Sequence, residues 1–388
     1  MPSVLFQGTF GLSGGLSATR SPTEPISREP NDMAAPINET PELDAQGRED
    51  LVLDIALPVL CAWGQSVQVS GFRARTGVSG LLPREAARIR TLGIAASARA
   101  TGIFEGANDF RFAFPEGARR TSSGTGVDAD LAGHPIAPVI SDIAITTFGL
   151  AAGTAAAHRV QGLTHVRGAS ARGYEGRALG RLGEALSLDL GVTTEVLGFE
   201  PQGLGCVRVD ASRGNGEPRK IDWKTRGEFR ALRVTLGGVR PKTEQLDKVE
   251  AAIREGLWEG RRMEPVVSRL ITPGTDQGSF LQVDVECEAG GATFVEIMAR
   301  STTALTVARR TLRKALAFLD AYAVCDEVTG VGILTAAAAA GADFEIALTA
   351  SERLSSAVAL LREIGMEIAE GESRGLVVLR LAPPQSVS

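Results

Sequence analysis

The chain has 388 residues, of which 44% are hydrophobic and 22% are charged, a balance typical of a globular protein with more than one structural unit. Its formal net charge of −5 excludes nucleic-acid binding by an overall basic field, so any such contact must come from a local cluster of basic side chains. The cysteines are far apart and form no C-x-x-C pair. This spacing argues against a zinc site or a disulfide framework and predicts buried thiols in a reducing compartment.

The N-terminal sequence has two distinct parts. The Gly-rich stretch Phe10-Gly11-Leu12-Ser13-Gly14-Gly15 predicts that residues 1–20 form a short first strand and a glycine turn. Residues 21–50 carry five prolines among acidic and small residues, and this composition predicts a disordered insertion or linker. The sequence has neither a signal-peptide pattern nor a run of about 18 apolar residues, so we expect a cytoplasmic protein without a membrane span.

From residue 51 onward the pattern is that of a folded body. Alternating apolar residues predict strands at 67–69, 110–114 and 193–199. Helical periodicity predicts a helix at 51–63 that is interrupted near Pro58, and further helices at 83–92, 136–150 and 179–190.

Residues 200–300 change character, because several glycines are followed by closely spaced strands. The predicted strands lie around 231–236, 266–271, 280–287 and 293–298. One helix is predicted at 243–257, with Glu244 and Lys248 as an i,i+4 ion pair. This part of the chain therefore predicts a compact inserted α+β domain.

The main body resumes after residue 300. The predicted elements are helices at 303–323, 333–340 and 353–364 and strands at 344–349 and 376–381. Units of helix and strand thus recur about three times, and helices covering one face of a mixed sheet would bury their apolar stripes. The predicted fold is α/β (α+β), with a repeat body of residues 51–199 and 301–388.

Several segments, in order along the chain, resemble motifs of the RNA 3′-terminal phosphate cyclase family. They are Phe10–Gly15 at the family's opening glycine turn, Phe72-Arg73-Ala74-Arg75 with Gly80-Leu81, Gly162-Leu163-Thr164-His165-Val166, Gly198–Gly205, Arg226-Gly227 and Asp326-Glu327. The resemblance spans nearly the whole chain outside 21–50. It implies three βαβ-type repeats with a small inserted α/β domain.

The resemblance also implies a reaction. Family enzymes use ATP to convert an RNA 3′-phosphate into a 2′,3′-cyclic phosphate, through a C-terminal His that carries AMP, with a divalent metal such as Mg²⁺ and Arg side chains neutralising phosphate charge. RNA is therefore the expected partner, and ATP and Mg²⁺ are the expected cofactors if the protein is active.

This chain departs from the family's pattern at the residues that would carry out the reaction. Arg353 stands at the position of the nucleophilic His, and a guanidinium has no lone pair with which to attack phosphorus. No His and no Lys follows Lys314, and Cys325, the remaining strong nucleophile, is expected to be buried. Leu12 replaces the acidic residue of the opening turn. The departures predict a degenerate catalytic centre.

Five cationic or titratable residues remain as candidates for phosphate or RNA binding. They are Arg73, Arg75, Arg84, His165 and Arg167. Arg73 and Arg75 are spaced so that a strand would place both on one face. Solvated loop positions, or the solvent face of an edge strand, are the alternative interpretation of these residues.

Three hypotheses follow. The first is a cyclase-like pseudoenzyme that binds RNA ends or structured RNA in RNA processing without adenylating itself. The second is an active, ATP-dependent cyclase with a rearranged centre, and the third is an enolpyruvyl-transferase-like enzyme for a small molecule on a related scaffold. A P-loop and a G-x-S-x-G elbow are absent from the sequence, and its three histidines do not suffice for a typical zinc enzyme.

Overall fold

The structure, a computed structural model, is that of a mixed α/β protein. The residues that it describes are 42–44, 46, 51–56, 59–60, 67–70, 101–104, 110–113, 127–130, 161–169, 183–184, 188–197, 199, 205–213, 220–274, 277–298, 302–340 and 342–381. Within these ranges, no helix combines the length and the apolar character that a membrane crossing requires.

The described strands and helices extend over most of the chain. The strands are β1 (Glu42–Asp44), β2 (Val67–Ser70), β3 (Thr101–Phe104), β4 (Phe110–Ala113), β5 (Val127–Asp130), β6 (Gln161–Ala169), β7 (Leu188–Val196), β8 (Gly205–Arg213), β9 (Ile221–Trp223), β10 (Phe229–Val239), β11 (Val266–Thr272), β12 (Gly278–Cys287), β13 (Gly291–Ile297), β14 (Phe344–Thr349), β15 (Ile368–Ser373) and β16 (Leu376–Leu381). The helices are α1 (Thr243–Arg261), α2 (Ala304–Asp320), α3 (Glu327–Ala340) and α4 (Glu352–Glu363), and Val52–Ala56 forms a π-helical segment.

Three of the four sheets in the described part of the chain share one topology. Their strand orders are β1-β2-β4-β3, β5-β6-β8-β7 and β9-β14-β16-β15. In each sheet the first two strands are parallel, and the last strand in sequence lies antiparallel to both of its neighbours. The same arrangement is therefore made three times by successive parts of the chain.

The fourth sheet has a different topology and interrupts the third. Its order is β11-β10-β12-β13, with β10 parallel to β11 and the other pairs antiparallel. The first two strands of the third sheet, β9 and β14, pair in parallel although residues 224–343 separate them. The fourth sheet and its two helices therefore form a module inserted between neighbouring strands.

Helices α1 and α2 pack against each other and belong to the same core as the fourth sheet. Helix α1 buries one side chain about every turn, at Leu246, Val249, Ile253 and Leu257, which is the spacing of an amphipathic helix. Burying four such side chains stabilises the module by roughly 1.5–3 kcal/mol each. The position of α1 is therefore fixed by packing rather than by its own helix propensity.

Helix α3 is apolar on all sides, with the sequence EVTGVGILTAAAAA, and a helix of this kind needs cover on every face. It contacts β14, α4 and the π-helical segment, so its apolar surface is enclosed by elements from distant parts of the chain. The many alanines allow close approach of neighbouring backbones. This packing on all sides holds the helix, and with it the residues at its N-terminus, in a fixed position.

Most predicted elements after residue 220 are confirmed, and so is the mixed α/β class. The predicted strands of the inserted domain correspond to β10–β13, and Lys248 Nζ donates to Glu244 Oε1 at 2.7 Å, as expected for the i,i+4 pair. Among the earlier elements, β2 and β4 lie where strands were predicted. The predicted helices at 83–92 and 136–150, and the glycine turn of residues 1–20, lie outside the described residues.

The structure differs from the prediction in three places. Residues 42–44 belong to the segment predicted as a linker, yet they form β1 with Leu43 buried, because a composition averaged over 21–50 hides a three-residue strand. The helix predicted at 179–190 extends too far, since β7 begins at Leu188. Strands β8 and β9 fall within 200–300 but pair with strands outside the inserted sheet. The glycines of this segment indicated an irregular connection, but glycine is also compatible with an extended, paired strand.

Candidate functional site

A cavity of about 450 Å³ lies where the inserted module meets the third sheet. One wall is the outer edge of β13, a second is the C-terminal half of α2, and the third is the N-terminus of α3 with the end of β14. The lining residues are Thr293, Phe294, Val295, Lys314, Ala317, Phe318, Ala321, Cys325, Asp326, Glu327, Val328, Thr329 and Thr349. Its volume is in the range of small-molecule sites.

Asp326 joins two walls of this cavity. Its carboxylate accepts hydrogen bonds from the Thr329 amide at 2.9 Å and the Thr329 hydroxyl at 2.7 Å, which is the N-cap arrangement for α3. It also accepts one from the Thr293 amide at 3.1 Å. Just before it, the Gly291 amide donates to the Val324 carbonyl at 2.9 Å, so the chain runs parallel to the edge of β13 before α3 begins.

Burial controls the protonation of the two neighbouring titratable groups. Desolvation raises the pKa of Asp326, while the hydrogen bonds from Thr329 and Thr293 act in the opposite direction. Desolvation also raises the pKa of the Cys325 thiol well above its ordinary value, and the charge of Asp326 adds to this effect. Cys325 is 2% exposed, as the sequence predicted, and its thiol stays protonated, so it is no nucleophile at neutral pH.

Glu327 connects the N-termini of two helices. Its Oε1 accepts a hydrogen bond from Ser351 Oγ at 2.5 Å. The same Ser351 oxygen accepts from the Leu354 amide at 3.1 Å and so caps α4. Arg353 follows on the first turn of α4 and is half-buried. Arg353 is the position that resembles the family's His. Ser351, two residues before it, thus hydrogen-bonds to the exposed carboxylate of Glu327 in the cavity wall.

The opposite wall is apolar and aromatic. Phe294 and Phe318 meet edge to face with ring centroids 6.4 Å apart. The Arg226 guanidinium lies 5.0 Å from the Phe318 ring centre and donates to the Phe318 and Leu319 carbonyls at 2.5 and 2.9 Å. Because these carbonyls belong to the last turn of α2, Arg226 is a structural residue that terminates the helix.

The predicted site residues are placed as follows. Arg353 is described with its side chain, and its half-buried position on α4 is given above. His165 and Arg167 lie on β6, in register with Asp128 and Asp130 of β5, and their side chains are outside the description. Arg73, Arg75 and Arg84 lie outside the described residues.

The described residues do not form a metal site. No group of three or more His, Cys, Asp or Glu side chains in this part of the chain is close enough together to hold an ion. Both oxygens of Asp326 are occupied by donors from α3 and β13. Among the described residues that line the cavity, Glu327 is the exposed carboxylate, and one of its oxygens accepts from Ser351.

Sequence reasoning found Asp326 and Glu327 by resemblance and named Cys325 as a buried thiol, but it missed the other residues of the cavity. A helix-start signal was present, because Asp326 and Thr329 have the spacing of a cap before an apolar run. Lys314 and Glu296, whose Nζ and Oε1 are 2.8 Å apart, come from different elements and have no comparable signal.

Compared with models of known protein families and with curated proteins, the chain matches none.

Proposed function

We propose that this protein is a cyclase-like RNA-binding protein that holds an RNA end without performing the adenylylation chemistry. The observation that carries the proposal is that the Asp326-Glu327 pair lines the cavity while Arg353, at the position that resembles the family's His, lies on the first turn of the neighbouring helix α4. A guanidinium offers phosphorus no electron pair. The nearby Cys325 thiol is buried and protonated.

The topology supports this proposal. Three sheets of identical strand order, with a separate α+β module inserted into the third, are compatible with the three-repeat architecture that the sequence motifs imply. Arg226-Gly227, which resembles the start of the inserted domain, directly precedes β10. Gly227 has φ +73°, a backbone conformation that favours glycine, which accounts for the glycine of this motif.

The cavity supports an end-binding role in particular. A volume of about 450 Å³ suits one nucleoside, and the Phe294 and Phe318 rings offer an apolar surface to a base. Glu327 and Thr349 are exposed, line the cavity and can accept hydrogen bonds from ribose hydroxyls. A phosphate is disfavoured beside the carboxyl groups of Asp326 and Glu327, so the phosphates would lie toward the cavity mouth.

Two measurements on the full chain test the proposal. Fluorescence anisotropy with a labelled single-stranded RNA of about 12 nucleotides should detect binding at low salt. Incubation with labelled ATP and Mg²⁺ should leave no AMP on the protein and no cyclic phosphate on a 3′-phosphorylated RNA. An AMP adduct would instead support the active, ATP-dependent cyclase, and absence of RNA binding would favour a small-molecule enzyme of the enolpyruvyl-transferase type.

A further inference from the structure

One exposed face of α2 carries four cations within two helical turns. We define the α2 basic row as Arg309, Arg310, Arg313 and Lys314. All four are exposed, with side-chain exposures of 43% for Arg310 and 49% for Lys314. Positions three and four apart on a helix are neighbours, so these side chains form one continuous surface.

The buried face of α2 fixes this row in place. Its residues Val307, Ala308, Thr311 and Ala315 are completely buried, and the helix contacts β12, β13 and α1. The Thr303 side chain caps the helix by accepting from the Thr306 amide at 3.2 Å. The four cations therefore project from a rigid element, which lowers the entropic cost of binding a partner.

Most of the positive charge of the α2 basic row has no acidic partner among the described residues. Glu296 is within 2.8 Å of Lys314 and 3.7 Å of Arg310. Arg309 and Arg313 have no carboxylate within salt-bridge distance among the residues that the structure describes. Among the described residues, these four positive charges thus share one negative charge.

The neighbouring helix α1 is different, although it belongs to the same module. Its cations are paired with carboxylates: Lys248 with Glu244 at 2.7 Å, Arg254 with Glu250 at 3.1 Å, and Arg261 with Asp320. The concentration of positive charge on α2 is therefore a local feature and not a property of the whole module. In a chain with a net charge of −5, such a local surface is what binding to a polyanion requires.

The row is continuous with the cavity. Lys314 belongs to both. Ala317 and Phe318, on the following turn of α2, and Ala321, directly after the helix, also line the cavity. A chain of phosphates lying along α2 would therefore reach the cavity mouth at Lys314. Arg side chains also suit phosphate, because a guanidinium can donate two parallel hydrogen bonds to its oxygens.

We propose that the α2 basic row binds the phosphate backbone of the RNA whose terminal nucleoside enters the cavity. This inference rests on the proposed function and adds the path that the strand takes. It assigns the phosphates to α2 and the terminal base and ribose to the cavity.

The test compares two neutralised variants of the full chain with wild type. Arg309→Gln/Arg313→Gln removes two unpaired charges of the row, and Lys248→Gln/Arg254→Gln removes two paired charges of α1. The affinity for the labelled RNA is measured between about 50 and 200 mM salt. We expect the α2 variant to reduce the slope of log affinity against log salt by about 1.4, because each lost single-strand phosphate contact removes about 0.7.

The outcomes separate this inference from the proposed function. No RNA binding by wild type overturns both. Wild-type binding with an unchanged slope in the α2 variant overturns the inference and leaves the proposed function intact, as does an equal loss in the α1 variant. A third variant, Arg309→Lys/Arg313→Lys, keeps the charge, and we expect it to retain the wild-type slope, so a loss there would also count against backbone binding.

Discussion

The carboxylate of Asp326 accepts a hydrogen bond from the backbone amide of Thr293 at 3.1 Å and thereby fastens the start of α3 to the edge of β13. Because β13 belongs to the inserted module and α3 contacts the third sheet, one buried side chain joins the two parts. The cavity walls that β13 and the N-terminus of α3 form are held together by this connection.

The first prediction concerns the pH dependence that Asp326 imparts. Burial raises its pKa in the folded state, so the folded protein binds more protons than the unfolded one between the two pKa values. The stabilisation that Asp326 contributes to the free energy of unfolding is fully present below the ordinary carboxyl pKa. It is lost as the pH rises through the raised pKa of the folded state. In urea unfolding, the free energy of unfolding of wild type minus that of Asp326→Asn should therefore fall as the pH increases from about 4 toward 7. A difference that stays constant or grows would contradict the assignment.

The second prediction concerns cysteine reactivity. Cys325 and Cys287 are both buried, and burial keeps the Cys325 thiol protonated. Iodoacetamide applied to the native protein at pH 8, followed by mass-spectrometric mapping, should leave both residues unmodified, and both should react fully in urea. Native alkylation of Cys325 would restore it as a candidate nucleophile.

The third prediction concerns Ser351, which caps α4 and donates to Glu327. Ser351→Ala should lower the free energy of unfolding by about 1 kcal/mol, because the Leu354 amide loses its acceptor. Ser351→Thr keeps a hydroxyl and should recover most of this stability. The matched control is Ser355→Ala: the Ser355 hydroxyl donates to a backbone carbonyl within the same helix, and its loss should be nearly neutral. Equal losses from both alanine variants would argue against the cap.

The fourth prediction concerns β1. Leu43 is 1% exposed and belongs to the main core, so Leu43→Ala should cost about 2–5 kcal/mol in urea unfolding. The exposed neighbour Gln46 provides the control, and Gln46→Ala should change stability by less than about 0.5 kcal/mol. If Leu43→Ala were as mild as the control, residues 42–44 would be a linker, as the composition of 21–50 suggests.

The fold of the inserted module could be predicted from sequence because its elements have clear periodicity. Strand β12, for example, alternates between buried and half-buried residues along most of its length. Strand β15 could not be predicted, since only Ile368 is buried and the following five residues are exposed. Strand β9 has three residues, too few for any periodicity to be recognised. These two strands form because they pair with other strands, and the pattern of a single segment carries no information about such pairing.

The candidate site could be predicted only in part for a related reason. The motif Asp326-Glu327 and the substitution at Arg353 can be recognised along the chain, but the cavity is made by β13, α2, α3 and β14 together. The α2 basic row was open to sequence reasoning, since RR and RK occur in one helix. What distinguishes it from α1 is that, among the described residues, its four cations have one acidic partner, Glu296 from a neighbouring strand, and a local sequence pattern does not contain this.

The pairing of β9 with β14 also constrains the order in which this protein is made. Ile221 leaves the ribosome long before Phe344, its partner in the parallel ladder, and everything between them is synthesised in the interval. The inserted module can complete its own sheet during that time, whereas the third sheet has to wait with its first strand unpaired. A nascent chain stalled near residue 340 would therefore present a finished module beside an unprotected strand, the kind of exposed edge at which chains aggregate.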